Sequence, residues 1–194
     1  MEKERLGPCV TFFPQPTTLV TTMSSTDEVN IMTASWAGIV SKTPPTIAVS
    51  LHHGRKSYQN IKERGEFVVN MVPASLAIAA DYCGIRTGRE HDKLEVTGLT
   101  TEKAAIIKTP LIAESPLSVE CKLTLELPLG DYRLLLGEIV EIHAVAGAIN
   151  SDGAHDVSAF DPLVYLGGIR QYWSLGEKQA DAYKDGLSLE KLPK

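Results

Sequence analysis

Between Ser118 and Leu127 apolar and polar side chains alternate without a break: Val119, Cys121, Leu123, Leu125 and Leu127 share one phase, and Glu120, Lys122, Thr124 and Glu126 the other. A period of two sends successive side chains to opposite faces, so this stretch predicts a strand with one face against apolar material. Pro128-Leu129-Gly130-Asp131 supplies turn residues, and the pattern resumes from Tyr132 to Val145, where Glu141 and His143 alternate with Val140, Ile142 and Ala144. The two runs predict a long antiparallel hairpin, in which His143 is an ordinary residue of an exposed strand face.

The rest of the chain breaks into similar short pieces. Thr17 to Ser24 is β-branched and uncharged, Asp27-Glu28-Val29-Asn30 reads as a turn, and a second strand follows from Ile31. Thr43-Pro44-Pro45 leaves the sheet, because proline donates no ladder hydrogen bond, and Thr46 to His52 forms a third strand. Ser57 is a candidate N-cap for a helix over Tyr58 to Arg64 that Gly65 closes. Phe67 to Val72 is strand-like, Ser75 caps a second helix reaching about Tyr82, and Gly84 to Gly98, without a period, is expected to be loop. Asn150 to Asp156 reads as polar loop, Pro162 to Tyr165 as a last short strand, and the tail from Glu177 is weakly patterned. Strands in consecutive hairpin-like groups, separated by short helices, favour a mainly β antiparallel barrel over a doubly wound parallel sheet.

At 194 residues the chain suits one domain, with a core over about residues 12 to 176 and a C-terminal tail over 177 to 194. Its 19 basic and 24 acidic residues give a net charge of −5 with no block of either sign, which excludes the usual footprint of a nucleic-acid binder. Met1 to Arg5 is charged and leads into no signal-like apolar run, and nowhere do about 18 apolar residues follow one another, so no membrane span and a cytoplasmic location are expected. Cys9, Cys83 and Cys121 are odd in number and far apart, which fits neither a disulfide framework nor a metal-binding pair.

The chain contains no GxGxxG after a strand, no Walker loop, no HExxH, no paired CxxC and no GxSxG. His52 and His53 point to opposite faces if extended and have no further ligand at metal-like spacing, so no metal is expected. Two features remain. His53-Gly54-Arg55-Lys56 runs into a helix start at Ser57, and free N–H groups, two cationic side chains and a hydroxyl there can hold a terminal phosphate. On these residues alone, a solvated basic loop before a capped helix is the commoner use of such a pattern. The second feature is Asn30-Ile31-Met32-Thr33-Ala34-Ser35-Trp36-Ala37-Gly38, whose small residues let a flat ring approach the backbone while Trp36 covers it. A lone tryptophan among small neighbours is more often a core residue. Lys93, in His91-Asp92-Lys93, would by itself be a solvated loop lysine.

Taken in order, these segments resemble the flavin reductase-like family of FMN-binding split barrels, and within it the flavoredoxin branch. The resemblance is carried by Asn-Ile-Met-Thr-Ala-Ser-Trp from Asn30, Thr-Pro-Pro-Thr-Ile-Ala-Val-Ser-Leu from Thr43, Arg-Lys-Ser-Tyr-Gln-Asn-Ile from Arg55 and Gly-Glu-Phe-Val-Val-Asn-Met from Gly65. His-Asp-Lys at 91 to 93, Glu-Cys-Lys at 120 to 122, Gly-Glu-Ile-Val at 137 to 140 and Pro-Leu-Val-Tyr-Leu-Gly-Gly at 162 to 168 support it. It implies an antiparallel split β-barrel that forms a homodimer and holds FMN. Thr33, Ala34, Ser35 and Trp36 would lie along the isoalloxazine, with Asn30 and Trp36 towards its dimethylbenzene edge. Ser50 and Leu51 would continue the ring pocket. Arg55, Lys56 and Ser57 would face the phosphate, with Lys93 returning to it. Serine at 57, where the family often has threonine, keeps the hydroxyl.

The implied activity is that of an FMN-dependent oxidoreductase or electron carrier in which the flavin does the chemistry and no side chain acts as acid or base. The donor would be NAD(P)H or a redox protein. The rival readings are a non-catalytic flavin- or haem-binding module and a pyridoxamine phosphate oxidase-like enzyme of the same barrel type.

Overall fold

The computed structural model describes residues 1–149, 153 and 155–191. Its main element is a seven-stranded, wholly antiparallel sheet built from β2 (Thr18–Met23), β3 (Val29–Ala34), β4 (Ala37–Lys42), β5 (Pro45–His52), β6 (Glu66–Met71), β9 (Leu117–Leu129) and β10 (Tyr132–Ala144). The spatial order is β3-β2-β6-β9-β10-β5-β4. A smaller sheet joins β1 (Gln15–Pro16), β11 (Leu163–Leu166) and β12 (Gln171–Ser174), and β7 (Thr101–Glu102) pairs with β8 (Leu111–Ile112).

The order of the strands dictates the shape. β3 and β4 are the two outermost strands, yet only Ser35 and Trp36 separate them in the chain. Six inter-strand spacings would put the edges of a flat sheet roughly 29 Å apart, whereas three backbone steps reach about 11 Å at most. The sheet therefore curls until its edges nearly meet, which makes it a barrel split along one seam. The sequence expectation of one strand running from Ile31 to the prolines is corrected here: Ser35-Trp36 is the step from one edge to the other, and β3 and β4 are separate strands.

Inside the barrel pack Val20, Val49, Leu51, Phe67, Cys121 and Leu135, with Ile61 plugging one end from α1 (Lys56–Arg64). That helix ends where Gly65 turns left-handed at φ 72° and donates to Ile61 O at 2.8 Å. Its start differs from the expectation. Arg55 N–H donates to His52 O at 3.0 Å, and this turn brings the backbone into the helix at Lys56, so Ser57 lies in the first turn and caps nothing. Outside the barrel, α2 (Ala77–Ile85) and α3 (Lys93–Thr97) cover the outer face of β2 and β3, where Leu19, Ile31, Ala80 and Cys83 meet. The loop expected over Gly84 to Gly98 thus contains the end of α2 and a one-turn helix too short to show a period. Its readable trace is the cap, Asp92 Oδ1 accepting from Glu95 N–H at 3.0 Å.

The long hairpin is present, but its alternation is broken. The pairing of β9 with β10 shifts between Leu125 and Leu123, which leaves Thr124 without a partner and reverses the phase beyond it. Leu123 still packs on the barrel core, whereas Leu125 and Leu127 are 48% and 42% exposed. Glu126 turns instead towards α1, where its carboxylate accepts from Tyr58 Oη at 2.7 Å and Lys62 Nζ at 2.8 Å.

Glu120 and His143 also depart from the polar-face expectation. Glu120 is fully buried and accepts from the amides of Ala105, Ile106 and Ile107 at 2.6, 2.9 and 3.0 Å and from His143 Nε2 at 2.6 Å. Burial alone would raise its pKa, but the bonds from His143 and the three amides hold it below the usual carboxylate value. With Glu66, which accepts from the amides of Lys108 and Thr109, it pins the 103–110 segment over Val68 and Leu111.

Of the loop expected at Asn150 to Asp156, residues 150–152 and 154 lie outside the described residues, as do the last three of the tail. No helix among the described residues is long and apolar enough to cross a membrane.

Candidate functional site

The seam of the barrel carries the candidate site. The Ser35-Trp36 step forms one wall, and the ends of β3 and β5 supply the floor. Strand alternation decides which side chains face it. Ser50 and His52 point out of the barrel, while Ala34 and Leu51, 6% and 1% exposed, belong to the barrel interior. Ala34 and Leu51 therefore place no side chain in the site.

Two hollows adjoin here. One, about 150 Å³, is lined by Met32, Thr33, Ser35, Trp36, Ser50, His52, Arg55 and Tyr132. The other is a tight niche of about 20 Å³ between Asn30, Met32, Arg55, Lys56, Ser57, Arg86, Thr87, Gly88 and Lys93. Met32 and Arg55 line both, so the slot and the niche share a wall. Past Asn30, Gly88 and Lys93 the surface opens into a further polar hollow of about 410 Å³.

The slot is lined by aromatic rings. Trp36 and Tyr132 have ring centroids 5.0 Å apart, and His52 meets Tyr132 edge-on at 5.5 Å. Thr33 turns its hydroxyl away, donating to Ala80 O on α2.

The niche is cationic and tightly built. Lys93, expected in a solvated loop, is 5% exposed, and its ammonium donates to Ile31 O at 2.9 Å and Cys83 O at 2.8 Å. Two of its three donors are thereby used and one remains. Burial pushes its pKa down to about 8; the nearby Cys83 opposes this, and the Arg55 and Lys56 charges add to it. Lys56 Nζ bonds Glu28 at 2.7 Å and Gly88 O at 3.1 Å. Arg55 and Arg86 form no side-chain hydrogen bond or ion pair among the described residues.

Asn30, assigned beside Trp36 by resemblance, stands in the niche instead: it is 6% exposed and its Nδ2 donates to Ser57 Oγ at 2.7 Å. Residue 88 must be glycine for this packing, since a Cβ there would lie 1.8 Å from Asn30 Oδ1.

Residues 30, 33, 35, 36, 50, 55, 56, 57 and 93 are therefore brought to one continuous surface, split between slot and niche. Met32, His52, Arg86, Thr87, Gly88 and Tyr132 join them without having been expected. His52 was legible as the residue two beyond Ser50 on the same strand face. Tyr132 was not, because it arrives through the register that sets it opposite His52. No group of three or more His, Cys, Asp or Glu side chains among the described residues could hold a metal ion.

The flavoredoxin of Desulfovibrio vulgaris (Miyazaki F) superposes with a TM-score of 0.90 at 33% identity, covering 95% of this chain and 100% of that one. A flavoredoxin from Methanosarcina acetivorans superposes at 0.89 with 27% identity, covering 97% of this chain and 100% of that one. An uncharacterized protein of Archaeoglobus fulgidus is 32% identical over 146 residues, 75% of this chain and 80% of the relative. The model of the flavin reductase like domain matches residues 10–174, and the chain belongs to that family.

Proposed function

We propose that the chain binds one FMN along the seam of the barrel and serves as a flavin-dependent oxidoreductase or electron-transfer protein. The observation that carries this is the shared wall: Met32 and Arg55 join an aromatic slot to a cationic niche, which suits a flat heterocycle tethered to a terminal phosphate. The residues fit the group. Arg55, Arg86, Lys56 and the one unused donor of Lys93 suit a phosphate dianion, and Gly88 allows close approach of backbone. Trp36 and Tyr132 offer the slot aromatic surface.

Bound FMN supplies the electron transfer, and the chain's own task is to hold, orient and tune it. Arg55 stands at the junction, so its charge acts on both ends of the ligand. The donor in this reading is NADH or NADPH, with a redox protein as the other candidate. An absorption spectrum of the purified protein tests cofactor and donor together. A flavin spectrum that bleaches on anaerobic addition of NADH or NADPH is expected of a reductase, and one that bleaches only with a protein donor marks a carrier. A colourless protein that takes up no added FMN overturns the proposal.

We also propose that two copies associate through the outer face of the β9–β10 hairpin. Leu125, Leu127, Leu129 and Tyr132 are exposed there, and Tyr132 is a wall of the slot, so a second copy on this face would cover the slot's open side.

A further inference from the structure

His52 ends β5 and lines the slot, yet its hydrogen bond leads to the other half of the site. Its Nδ1 accepts the N–H of Gly54 at 3.0 Å. An aspartate or asparagine side chain makes the same bond to the amide two residues on and thereby shapes a turn. The carbonyl of that residue is held from the opposite side, Gly54 O accepting from Arg89 Nη1 at 2.9 Å. The Gly54 unit is thus clamped between the slot wall and the 86–93 segment. Nothing larger than glycine fits without displacement, since a Cβ would lie 3.1 Å from His52 Nδ1 and 3.2 Å from Cε1. The ring itself is held by its neighbours, stacked on His53 at 4.8 Å and in a T-shaped contact with Tyr132 at 5.5 Å.

The residues that follow this turn are Arg55, Lys56 and Ser57, which form the niche. Arg55 N–H donates to His52 O, so backbone and side chain of one residue together fix where the niche begins. We infer that His52 is a positioning residue: from inside the slot it sets the turn that presents the phosphate-binding side chains, and so determines how strongly the site prefers a flavin mononucleotide over the same ring without its phosphate. This rests on the slot and niche holding a flavin. It predicts that removing a slot residue is felt mainly at the phosphate.

The test compares FMN with riboflavin, which carries the ring and the ribityl chain but no phosphate, by fluorescence titration of the apoprotein. His52→Ala is expected to weaken FMN about tenfold, the worth of a hydrogen bond of ordinary strength, and riboflavin by less than half that factor. His52→Asn, whose Oδ1 can accept from the same amide but whose side chain gives up the imidazole, is expected to restore the FMN preference. Equal losses for both ligands in His52→Ala, or an asparagine variant as poor as alanine in its preference, would mean that His52 acts at the ring alone, and would overturn the inference. Thermal unfolding of each variant identifies any that fails to fold; in that case the same ratio measured on Arg89→Met, which frees the other side of the Gly54 clamp, decides, and a ratio equal to wild type also overturns it. If neither ligand binds the unaltered protein, it is the flavin assignment that falls.

Discussion

At the scale of single residues, Lys93 is the most informative group. Its ammonium is buried, its pKa lies at about 8, and the neighbouring carbonyls of Ile31 and Cys83 take two of its three N–H bonds. Loss of one proton leaves two donors, both already engaged, so nothing remains for a phosphate. A bound dianion raises the pKa, because it favours the charged form. Affinity for FMN should therefore be full near pH 7, where the phosphate is a dianion, and decline above about pH 8, by up to about tenfold per pH unit until the pKa of the bound state is reached. Titrations between pH 7 and 10 check this, and Lys93→Met should bind more weakly at pH 7 with a flat profile over the same range. A wild-type profile that is equally flat would show that Lys93 does not serve the phosphate. Trp36 makes a different kind of contribution. Trp36→Ala should alter the spectrum or the midpoint potential of bound flavin as well as its affinity, because in the proposed binding mode the indole would supply surface to the ring and no charge to the phosphate. An unchanged spectrum and potential would place the ring elsewhere.

At the scale of elements, the 103–110 segment is held to the sheet by carboxylates rather than by strand pairing. Glu120 takes three of its amides, and deleting the charge leaves those donors poorly satisfied. Glu120→Gln should cost about 1 to 3 kcal/mol of stability. The pH dependence follows from the lowered pKa: the contribution is complete above the unfolded glutamate value of about 4.3 and is lost as pH falls towards the depressed folded value. Melting temperatures of wild type and variant should therefore converge in acid, and a difference that persists unchanged to pH 3 would disprove the assignment. This carboxylate also marks where reading the sequence stops. Val119, Cys121 and Leu123 announced a strand and its inner face correctly, because alternation reports local geometry. Glu120, at the opposite phase, looked solvated because its amide partners lie 13 to 15 residues earlier in a segment without a period. The bulge at Thr124 was equally hidden, since the residues keep alternating while the register slips beneath them. Likewise the cationic niche could be anticipated from Arg55-Lys56-Ser57, a local cluster, but Arg86 and Gly88 enter it from a segment whose placement depends on α2 and α3 packing over β3.

At the scale of the molecule, the phase reversal at Thr124 has a further effect. Without it Leu125 and Leu127 would point to the inner side with Leu123; with it they form, together with Leu129 and the half-buried Leu134 and Leu136, an apolar band on the outside. Exposed apolar side chains in such a band are a feature of association surfaces. It lies beside Tyr132 and Trp36, which are 37% and 39% exposed, so water reaches the slot from the side the band adjoins. Covering the band with a second copy would dry the slot and strengthen the contacts within it. The unaltered protein should then elute with a light-scattering mass twice the 21.1 kDa of one chain. Leu127→Asp places a charge in the middle of the band while leaving the barrel core untouched, and should give a folded monomer. That monomer should bind FMN at least about tenfold more weakly, since one wall of its slot is left in water. A wild-type protein that runs as a monomer would remove the association surface altogether, and a monomeric variant with undiminished affinity would show that each barrel completes its own slot.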